Sequence, residues 1–369
     1  MPLRLLACGF ALFLSLPCPA KPGANSLNAD QMQKGVLLLF DGETTLGWKS
    51  EGDVSIAEGA LILGRNQRPA HISSLPFQNC VLEFQYTVTG HGTATFETAG
   101  QAIDLPARAN DPAWVQVSCE SEFSGTGSYR LSCTSSLNPG KPTEFQLKQS
   151  PQRSPFTFRV TKECQLKLRQ LTLTPRKSRN LFNGKDLSGW KVFADPQKNK
   201  SQWTVTKEGN LNVKNGPGDL QSTATFGNFL LQFECISHGK WLNSGLFFRC
   251  VAQEYQNGYE MQIQNGFKEG DRSKPVDYGT GAIYRRVPAR TIVSDDQVWF
   301  TMTLYADGNH FATWVNGYQT VDWTDNRPAH NNPRKGARSA AGHISLQGHD
   351  PTTNLSFRNI RIEEFKDDR

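Results

Sequence analysis

The sequence lacks the motifs that mark several common classes of protein. It has no Cys-x-x-Cys pair, which argues against a structural zinc site. A glycine-rich phosphate loop, a nucleophile elbow and a His-Glu-x-x-His pair are also missing, which argues against a P-loop nucleotide enzyme, an α/β-hydrolase and a zinc protease. No cofactor is predicted, and a divalent metal bound through scattered oxygen atoms is left open.

Charge and hydropathy argue against two kinds of partner. Forty Lys and Arg face 34 Asp and Glu, and the basic residues are scattered rather than clustered. We therefore expect no nucleic-acid partner. Beyond the amino-terminal segment no stretch approaches the ~18 consecutive apolar residues of a spanning helix, so we expect no stable membrane insertion.

The first 20 residues are typical of a secretory signal peptide. Arg4 gives a positive start, residues 5–16 form a short apolar run, and Ala20 ends a stretch suited to cleavage. We therefore expect a secreted or periplasmic protein. The alternative is a lipoprotein attached through Cys18, which fits less well because Pro17 stands directly before that cysteine.

Six cysteines lie outside the signal segment, and each half of the chain holds an even number of them. They are Cys80, Cys119, Cys133 and Cys164 in the first half, and Cys235 and Cys250 in the second. Even counts in an exported protein favour disulfides within each half. Cys119 and Cys133 flank a Ser/Gly loop and are placed to bridge a hairpin, while Cys235 and Cys250 lie on consecutive predicted strands. The alternative is six buried free thiols.

A set of motifs occurs twice in the same order. The pairs are LFDG at 39–42 with LFNG at 181–184, GWK at 47–49 with GWK at 189–191, EGAL at 58–61 with EGNL at 208–211, and LRQLTL at 168–173 with FRNIRI at 357–362. Ordered matches predict an internal duplication. We expect one domain at 35–174, a linker at 175–179 and a second domain at 180–366.

The sequence predicts that both domains are all-β. Short runs alternate apolar and polar residues between Gly, Asn, Asp and Pro, and no long segment has a helical period. This pattern favours a sandwich or jelly roll. The second copy is longer, and most of its excess falls in loops between residues 249 and 345. Long loops on a rigid sandwich are where function is expected.

One strand of the second copy predicts a polar surface. In the segment 258–265, alternation sends Tyr259, Met261 and Ile263 to one face. Glu260 and Gln262 project from the other face, followed by Gln264. The first set would fill the core, and the second set would form a polar ladder on which a sugar could lie.

A second strand predicts a matching ladder. In the segment 342–349, Ile344 and Leu346 face inward, while Ser345 and Gln347 face out and His349 follows Gly348. Further polar groups come from the segments 281–285 and 314–316. Carboxylate, imidazole, phenol, guanidinium and amide groups on one surface suit a polyol-binding site with acid/base capacity.

Seven motifs of the second copy occur in the order of one known family. They are LFNG at 181–184, NSGLFFR at 243–249, YEMQI at 259–263, GAIY at 281–284, WVNG at 314–317, LQGH at 346–349 and FRNIRI at 357–362. Together they resemble the 3-keto-disaccharide hydrolase family, whereas the first copy keeps only the opening and closing motifs. The resemblance implies two tandem concanavalin-like β-sandwich (jelly-roll) domains, the first degenerate. It also implies an oligosaccharide or oxidised disaccharide substrate, cleaved as a glycoside that carries a ketone at C3.

The residues suit that chemistry. Abstraction of a C2 proton made acidic by the ketone needs a base, and departure of the C1 group needs an acid. Glu260 and His349 are assigned these two roles, in either order. The predicted substrate-binding residues are Arg249, Gln262, Tyr284, Asn316 and Gln347.

Two other functions stay open at this point. A retaining jelly-roll glycosidase needs two carboxyl groups about 5 Å apart, and Gln262 and Gln264 stand where its further acids would be. A non-catalytic carbohydrate-binding module would use aromatic side chains, and its candidates are Trp241, Trp314, Trp323 and Tyr255. Arg358 is predicted to be structural, because Arg169 matches it in the copy that lacks the polar ladders.

Overall fold

The computed structural model describes residues 25–107, 113–124, 128–148, 153–252 and 254–365. The predicted signal peptide, with Cys18, therefore lies outside the described residues. No helix in the described ranges has the length and apolar character needed to cross a membrane.

The described part of the chain is almost entirely β-structure. The first half contains a short helix α1 (Ala29–Gln33) and the strands β1 (Leu37–Leu38), β2 (Lys49–Gly52), β3 (Val54–Ala57), β4 (Ala60–Leu63), β5 (Ala70–Ser73), β6 (Cys80–Gly90), β7 (Ala94–Thr98), β8 (Gln101–Asp104), β9 (Val115–Phe123), β10 (Tyr129–Ser135), β11 (Thr143–Leu147), β12 (Thr157–Val160) and β13 (Cys164–Pro175). The second half contains β14 (Arg179–Asn180), β15 (Trp190–Val192), β16 (Gln202–Val205), β17 (Leu211–Lys214), β18 (Gly218–Phe226), β19 (Asn228–Ser237), β20 (Ser244–Cys250), β21 (Tyr259–Ile263), β22 (Phe300–Asp307), β23 (His310–Val315), β24 (Tyr318–Thr324), β25 (Gly342–Gly348) and β26 (Asn354–Phe365). The all-β prediction is confirmed.

Each half is a β-sandwich. In the first half the layers have the orders β11-β10-β9-β6-β13-β4-β3 and β2-β5-β12-β7-β8. In the second half they have the orders β24-β23-β22-β19-β26-β17-β16 and β15-β18-β25-β20-β21. Adding thirteen to each strand number of the first half gives the pairing of the second. A duplication would produce this correspondence, and the duplication itself stays a prediction.

Strand β1 joins the two larger layers into one continuous sheet. It pairs antiparallel with β13 and parallel with β24, where Leu38 stands opposite Tyr318. Below the sheet the apolar faces form two main clusters, one for each sandwich. Tyr305, Trp314 and Phe365 of the second half pack into the cluster of the first. The two sandwiches therefore share buried apolar contacts, and the layer β15-β18-β25-β20-β21 keeps an outer face of its own.

One predicted disulfide is confirmed. Cys119 of β9 and Cys133 of β10 stand directly opposite each other and are bonded. Because the two strands are consecutive and antiparallel, the bond closes their hairpin.

The other predicted cysteine pairs were wrong, because Cys80, Cys164, Cys235 and Cys250 are buried free thiols. Cys164 stands opposite Gly90 at the far end of β6 from Cys80. At about 3.3 Å per residue, ten residues of strand separate the two cysteines by roughly 30 Å. Cys235 and Cys250 lie on consecutive strands that belong to opposite layers of the second sandwich.

Candidate functional site

A cavity of about 400 Å³ opens on the outer face of the smaller layer of the second sandwich. Its floor comes from β20, β21 and β25, and its sides come from the cavity loop (residues 264–299, between β21 and β22) and from residues 325–341 between β24 and β25. The lining residues are Asn243, Phe247, Gln256, Gly258, Tyr259, Glu260, Gln262, Tyr284, Arg285, Arg286, Pro333, Arg334, Gln347 and His349. Five of the seven predicted site residues are among them.

The predicted alternation along β21 places the site residues. Tyr259, Met261 and Ile263 belong to the core of the second sandwich, and Glu260 and Gln262 between them line the cavity. Strand β25 repeats the arrangement, since Ile344 and Leu346 are core residues and Gln347 lines the cavity. A period of two therefore gives one sheet an apolar and a functional face.

Glu260 lies among charged groups and is partly exposed to the cavity. Burial raises the pKa of its carboxyl to about 8, and the neighbouring carboxyls Asp277 and Asp219 raise it as well. The guanidinium groups of Arg334 and Arg285 act in the opposite direction. Near neutral pH the carboxyl is therefore largely protonated, which suits a proton donor.

Carboxamide groups beside Glu260 leave acceptors unused. Gln262 donates from Nε2 to Asp277 Oδ2 at 3.1 Å, and Asn243 donates to the same oxygen at 2.8 Å. These bonds hold the Gln262 side chain in place, yet its Oε1 and the Oε1 of Gln347 are buried without a hydrogen-bond partner in the described residues. Buried acceptors in native proteins are nearly always paired. A ligand rich in hydroxyl donors would satisfy both.

His349 is oriented by the next residue in the chain. Its Nδ1 lies 2.8 Å from Asp350 Oδ2, and Asp350 accepts bonds from the backbone N–H and the hydroxyl of Thr352. Despite its partial burial, these bonds and the imidazole lower the pKa of Asp350. With Nδ1 bound to a carboxylate, the ring presents Nε2 for proton transfer.

The cavity loop and residues 325–341 supply phenol and guanidinium groups. Tyr284 packs edge-on against Tyr278 with ring centres 5.2 Å apart, and Arg285 lies over the ring of Tyr284 at 5.3 Å. Arg286 donates to the backbone carbonyl of Arg334 at 2.9 Å, which ties the two segments together. The positive charges of Arg334 and Arg285, which both line the cavity, act on the carboxyl of Glu260.

Two predicted substrate-binding residues lie elsewhere, which corrects their assignment. Arg249 is fully buried, donates to backbone carbonyls including that of Arg338 at 2.7 Å, and lies over the ring of Phe311 at 5.1 Å. Asn316 forms the turn of a hairpin, where its side chain accepts from the Thr301 N–H and donates to the Val293 carbonyl. Both side chains serve the fold.

The other candidates from the sequence also lie outside the cavity. Gln264 turns back on its own chain, accepting from the Gly266 N–H and donating to the Trp241 carbonyl at 3.4 Å. Trp314 is a core residue with 1% exposure. Within the described ranges, none of the four aromatic residues proposed for sugar stacking lines the cavity.

Arg358 is held as a structural residue would be. It donates to Glu234 at 2.8 Å and lies 4.1 Å from the ring centre of Trp299. In the first half Arg169 makes the same two contacts, since it donates to Gln85 and lies over the ring of Trp114. Since that half lacks the cavity residues, these contacts of the arginine are part of the sandwich fold and not of the site.

Sequence reasoning missed three charged groups near Glu260. Asp219 is fully buried on β18 opposite Gln347, and burial raises its pKa to about 7. Asp277 and Arg334 come from irregular loops. Only Asp219 carried a signal, as a single acid at the start of a strand, while the loop residues have no period to reveal them. No group of three or more His, Cys, Asp or Glu side chains that could hold a metal ion occurs in the described residues.

Comparisons with known proteins give one family and several distant structures. A candidate glycosyl hydrolase from Parabacteroides distasonis is 20% identical, covers 51% of this chain and 94% of its own, and has a TM-score of 0.41. A second candidate glycosyl hydrolase from that organism is 23% identical over 52% and 100% with a TM-score of 0.40. The carbohydrate-binding module CBM66 from Bacillus subtilis is 17% identical over 48% and 96% with a TM-score of 0.35.

A search of curated proteins gives no significant match. Residues 177–363, half of the chain, match the family described as 3-keto-alpha-glucoside-1,2-lyase-like domains. The chain therefore belongs, through its second half, to this carbohydrate-acting family, which confirms the resemblance that its seven ordered motifs indicate.

Proposed function

We propose that the protein is an exported enzyme that cleaves 3-keto-glycosides, including oxidised disaccharides, by C2 proton abstraction and elimination. The observation that carries the proposal is the composition of the cavity. Glu260 is the only carboxyl group among the lining residues that the structure describes, and His349 lines the same cavity. Export is supported by residues 1–20 and by the Cys119–Cys133 disulfide, since such bonds persist in oxidising compartments.

The reaction begins at the carbon next to the ketone. A base takes the C2 proton, the C2–H electron pair forms the C2=C3 bond of an enolate, and the charge moves to the C3 oxygen. The ketone then re-forms as the C1–O bond breaks, an acid protonates the departing oxygen, and a double bond joins C1 and C2. Water adds across that bond, with its hydroxyl on C1 and a proton on C2, and the free 3-keto sugar results.

His349 is the better base of the two candidates. Asp350 holds the imidazole through Nδ1 at 2.8 Å, so Nε2 is left to accept the C2 proton. Glu260, whose pKa is raised to about 8 by burial, keeps its proton at neutral pH and can pass it to the departing oxygen. We therefore assign the base to His349 and the acid to Glu260, a choice that the sequence alone left open.

The remaining lining residues bind and stabilise. The developing enolate oxygen needs a donor, and Tyr284 and Arg334 are two of the lining groups that can supply one. The unpaired carboxamide oxygens of Gln262 and Gln347 would accept bonds from sugar hydroxyls. Such contacts orient the substrate without taking part in proton transfer.

A retaining glycosidase on this fold is disfavoured. Double displacement needs a second carboxyl about 5 Å from the first, in contact with the sugar. Asp219 has no exposed surface, and the Asp277 carboxylate is already bound by Gln262 at 3.1 Å and Asn243 at 2.8 Å. Gln262 and Gln347 are amides and cannot replace it.

The test is incubation of the purified mature protein with a 3-keto-disaccharide in D₂O. Elimination followed by hydration places solvent deuterium at C2 of the product, whereas double displacement leaves the C2 hydrogen untouched. Glu260→Gln and His349→Asn should each lower kcat/KM by about 10²-fold or more, the usual contribution of a general acid or base. Parallel assays with a chelator test the metal that the sequence leaves open.

Matched controls come from the same half of the chain. His343→Asn changes a histidine of β25 outside the cavity lining, and Glu269→Gln changes an exposed glutamate; both should retain wild-type kcat/KM. Full activity of Glu260→Gln would contradict the assignment of the acid. Binding of the sugar without any product would instead identify a carbohydrate-binding module.

A further inference from the structure

The cavity loop is held from outside its own sandwich. Arg290, five residues after Arg285, extends to the first half of the chain, where its Nη1 lies 2.6 Å from Asp41 Oδ2 and donates to Thr44 Oγ1 at 3.2 Å. Only 6% of the Asp41 side chain is exposed, against 25% for Arg290. An ion pair this sheltered is screened far less by solvent than an ordinary surface pair.

Arg290 is also fixed on its other side. Its Nε donates to the Gln319 carbonyl at 2.8 Å, and its guanidinium lies 4.3 Å from the ring centre of Tyr318. Tyr318 stands opposite Leu38 where β24 meets β1. The guanidinium therefore sits between the sandwiches, at the place where β1 joins their sheets.

The position of Arg290 bears directly on the cavity. The N–H of Ala289 donates to the carbonyl of Tyr278 at 2.9 Å, and Tyr278 packs against Tyr284. A short path thus runs from Asp41 through Arg290, Ala289 and Tyr278 to the phenol of Tyr284, and its last step is a ring contact. Glu260 lies on β21, and His349 directly follows β25; each of these strands is held by its own ladder, to β20 and to β18 respectively.

The second half of the chain supplies an internal comparison. Asn183 stands in the LFNG motif where Asp41 stands in LFDG. Both side chains accept from the backbone N–H groups two and three residues later, at 2.7 Å for Asp41 and at 2.8 and 3.0 Å for Asn183. An amide therefore suffices for the two backbone bonds of the turn. The second oxygen of the Asp41 carboxylate accepts from Thr44 Oγ1 at 2.9 Å and carries the charge that pairs with Arg290.

We propose that the first sandwich positions the cavity loop through the Asp41–Arg290 ion pair, and so sets how tightly the cavity holds its substrate. Asp41 is a positioning residue, since it lies outside the cavity and acts through Arg290. The expected change in substrate binding rests on the proposed function. The expected loosening of the cavity loop does not depend on it.

The variant Asp41→Asn in the full mature chain tests the proposal. The turn should persist, because Asn183 forms the same turn, while the ion pair is lost. Hydrogen exchange followed by mass spectrometry should show the amides of residues 278–291 exchanging about fivefold faster, with β20 and β21 unchanged. For a 3-keto-disaccharide, KM should rise about fivefold while kcat stays within about twofold, because substrate binding loosens and the proton-transfer groups do not move.

Two further variants complete the design. Arg290→Gln should reproduce the effect, and the double variant should be no worse than either single one, since both remove the same interaction. The reciprocal Asn183→Asp should leave exchange in 278–291 unchanged. Unchanged exchange in both Asp41→Asn and Arg290→Gln overturns the proposal. A wild-type protein without turnover, whose loop nevertheless loosens in Asp41→Asn, overturns the proposed function alone.

Discussion

The carboxyl of Glu260 occupies space that exists only because residue 245 is glycine. A Cβ atom added to Gly245 would lie 2.6 Å from Glu260 Oε1. The two residues are on the adjacent strands β20 and β21, where Gly245 stands opposite Gln262 and Phe247 stands opposite Glu260. The missing side chain therefore lets the acid lie flat across the sheet.

Gly245→Ala should lower activity without unfolding the protein. The added methyl displaces the Glu260 carboxyl, and a misplacement of about 1 Å can cost up to 10²-fold in rate. Because the contacted atoms, Oε1, Cγ and Cδ of Glu260, all belong to one partly exposed side chain that can shift, the free energy of unfolding should change by less than about 1 kcal/mol. The measurements are kcat/KM and urea denaturation.

Gly227→Ala is the matched control, because its added Cβ meets only Ala341, at an ordinary 3.8 Å. Wild-type kcat/KM in Gly245→Ala would show that the position of the Glu260 carboxyl is not critical.

The pH dependence of kcat/KM separates the two possible roles of Glu260. Burial raises its pKa to about 8. A general acid must be protonated, so with Glu260 as the acid kcat/KM falls as the pH rises through about 8. With Glu260 as the base, kcat/KM would rise over the same range. A profile from about pH 6 to about pH 10, recorded with stability checked at each pH, decides between them.

Arg334→Gln should move that alkaline limb to higher pH. The Arg334 guanidinium favours the ionised form of Glu260 and so lowers its pKa. Removal of the positive charge makes the carboxyl hold its proton more tightly, and the acid stays active in more alkaline solution. Lys335→Gln removes the same charge one residue away, outside the cavity lining, and should leave the limb in place.

The strands of this site could be predicted from the sequence, and its loops could not. Glu260 and Gln262 follow from strict alternation on β21, because a period of two puts them on the face opposite Met261. Arg249 breaks the same rule on β20. Its φ is +53°, and the register between β20 and β25 shifts between Phe247 and Cys250. This bulge turns the Arg249 guanidinium inward, and no residue type in the sequence indicates that a bulge forms here.

The missed loop residues have a different cause. Arg334 reaches the cavity from an irregular segment whose path depends on distant contacts, such as the bond from Arg286 to its carbonyl. The same holds for Arg290, whose partner Asp41 is 249 residues away in the chain. The repeated LFDG motif indicated that Asp41 has a structural role. Its contact with the cavity loop through Arg290 is visible only in the structure.

Removal of the disulfide should destabilise the first sandwich. The Cys119–Cys133 bond closes a loop with a sequence separation of 14, and cross-linking a loop of this size is worth about 3 kcal/mol through the unfolded chain. Cys119→Ser/Cys133→Ser should therefore unfold at lower urea. A reducing agent should shift the wild type in the same direction and leave the double variant unchanged; equal shifts in both would contradict the bond.

Glu363→Gln should make the protein more stable at alkaline pH and change little in acid. Glu363 of β26 is 5% exposed and accepts from Gln78 at 3.0 Å and Asn79 at 2.7 Å in the first half. Burial raises its pKa from 4.5 to about 7, which exceeds the opposing effect of those two bonds. A raised acid pKa means that the folded state holds the proton more tightly than the unfolded state does.

Its contribution to stability is therefore complete below pH 4.5 and is lost as the pH rises to about 7, by roughly 3 kcal/mol. Glutamine keeps the accepting oxygen and cannot ionise, so the variant avoids that loss. Urea denaturation of both proteins below pH 4.5 and near pH 8 measures the difference. Glu364→Gln, an exposed neighbour paired with Arg179, serves as the control. A stability difference between Glu363→Gln and the wild type that is the same at both pH values would show that Glu363 ionises normally between the two sandwiches.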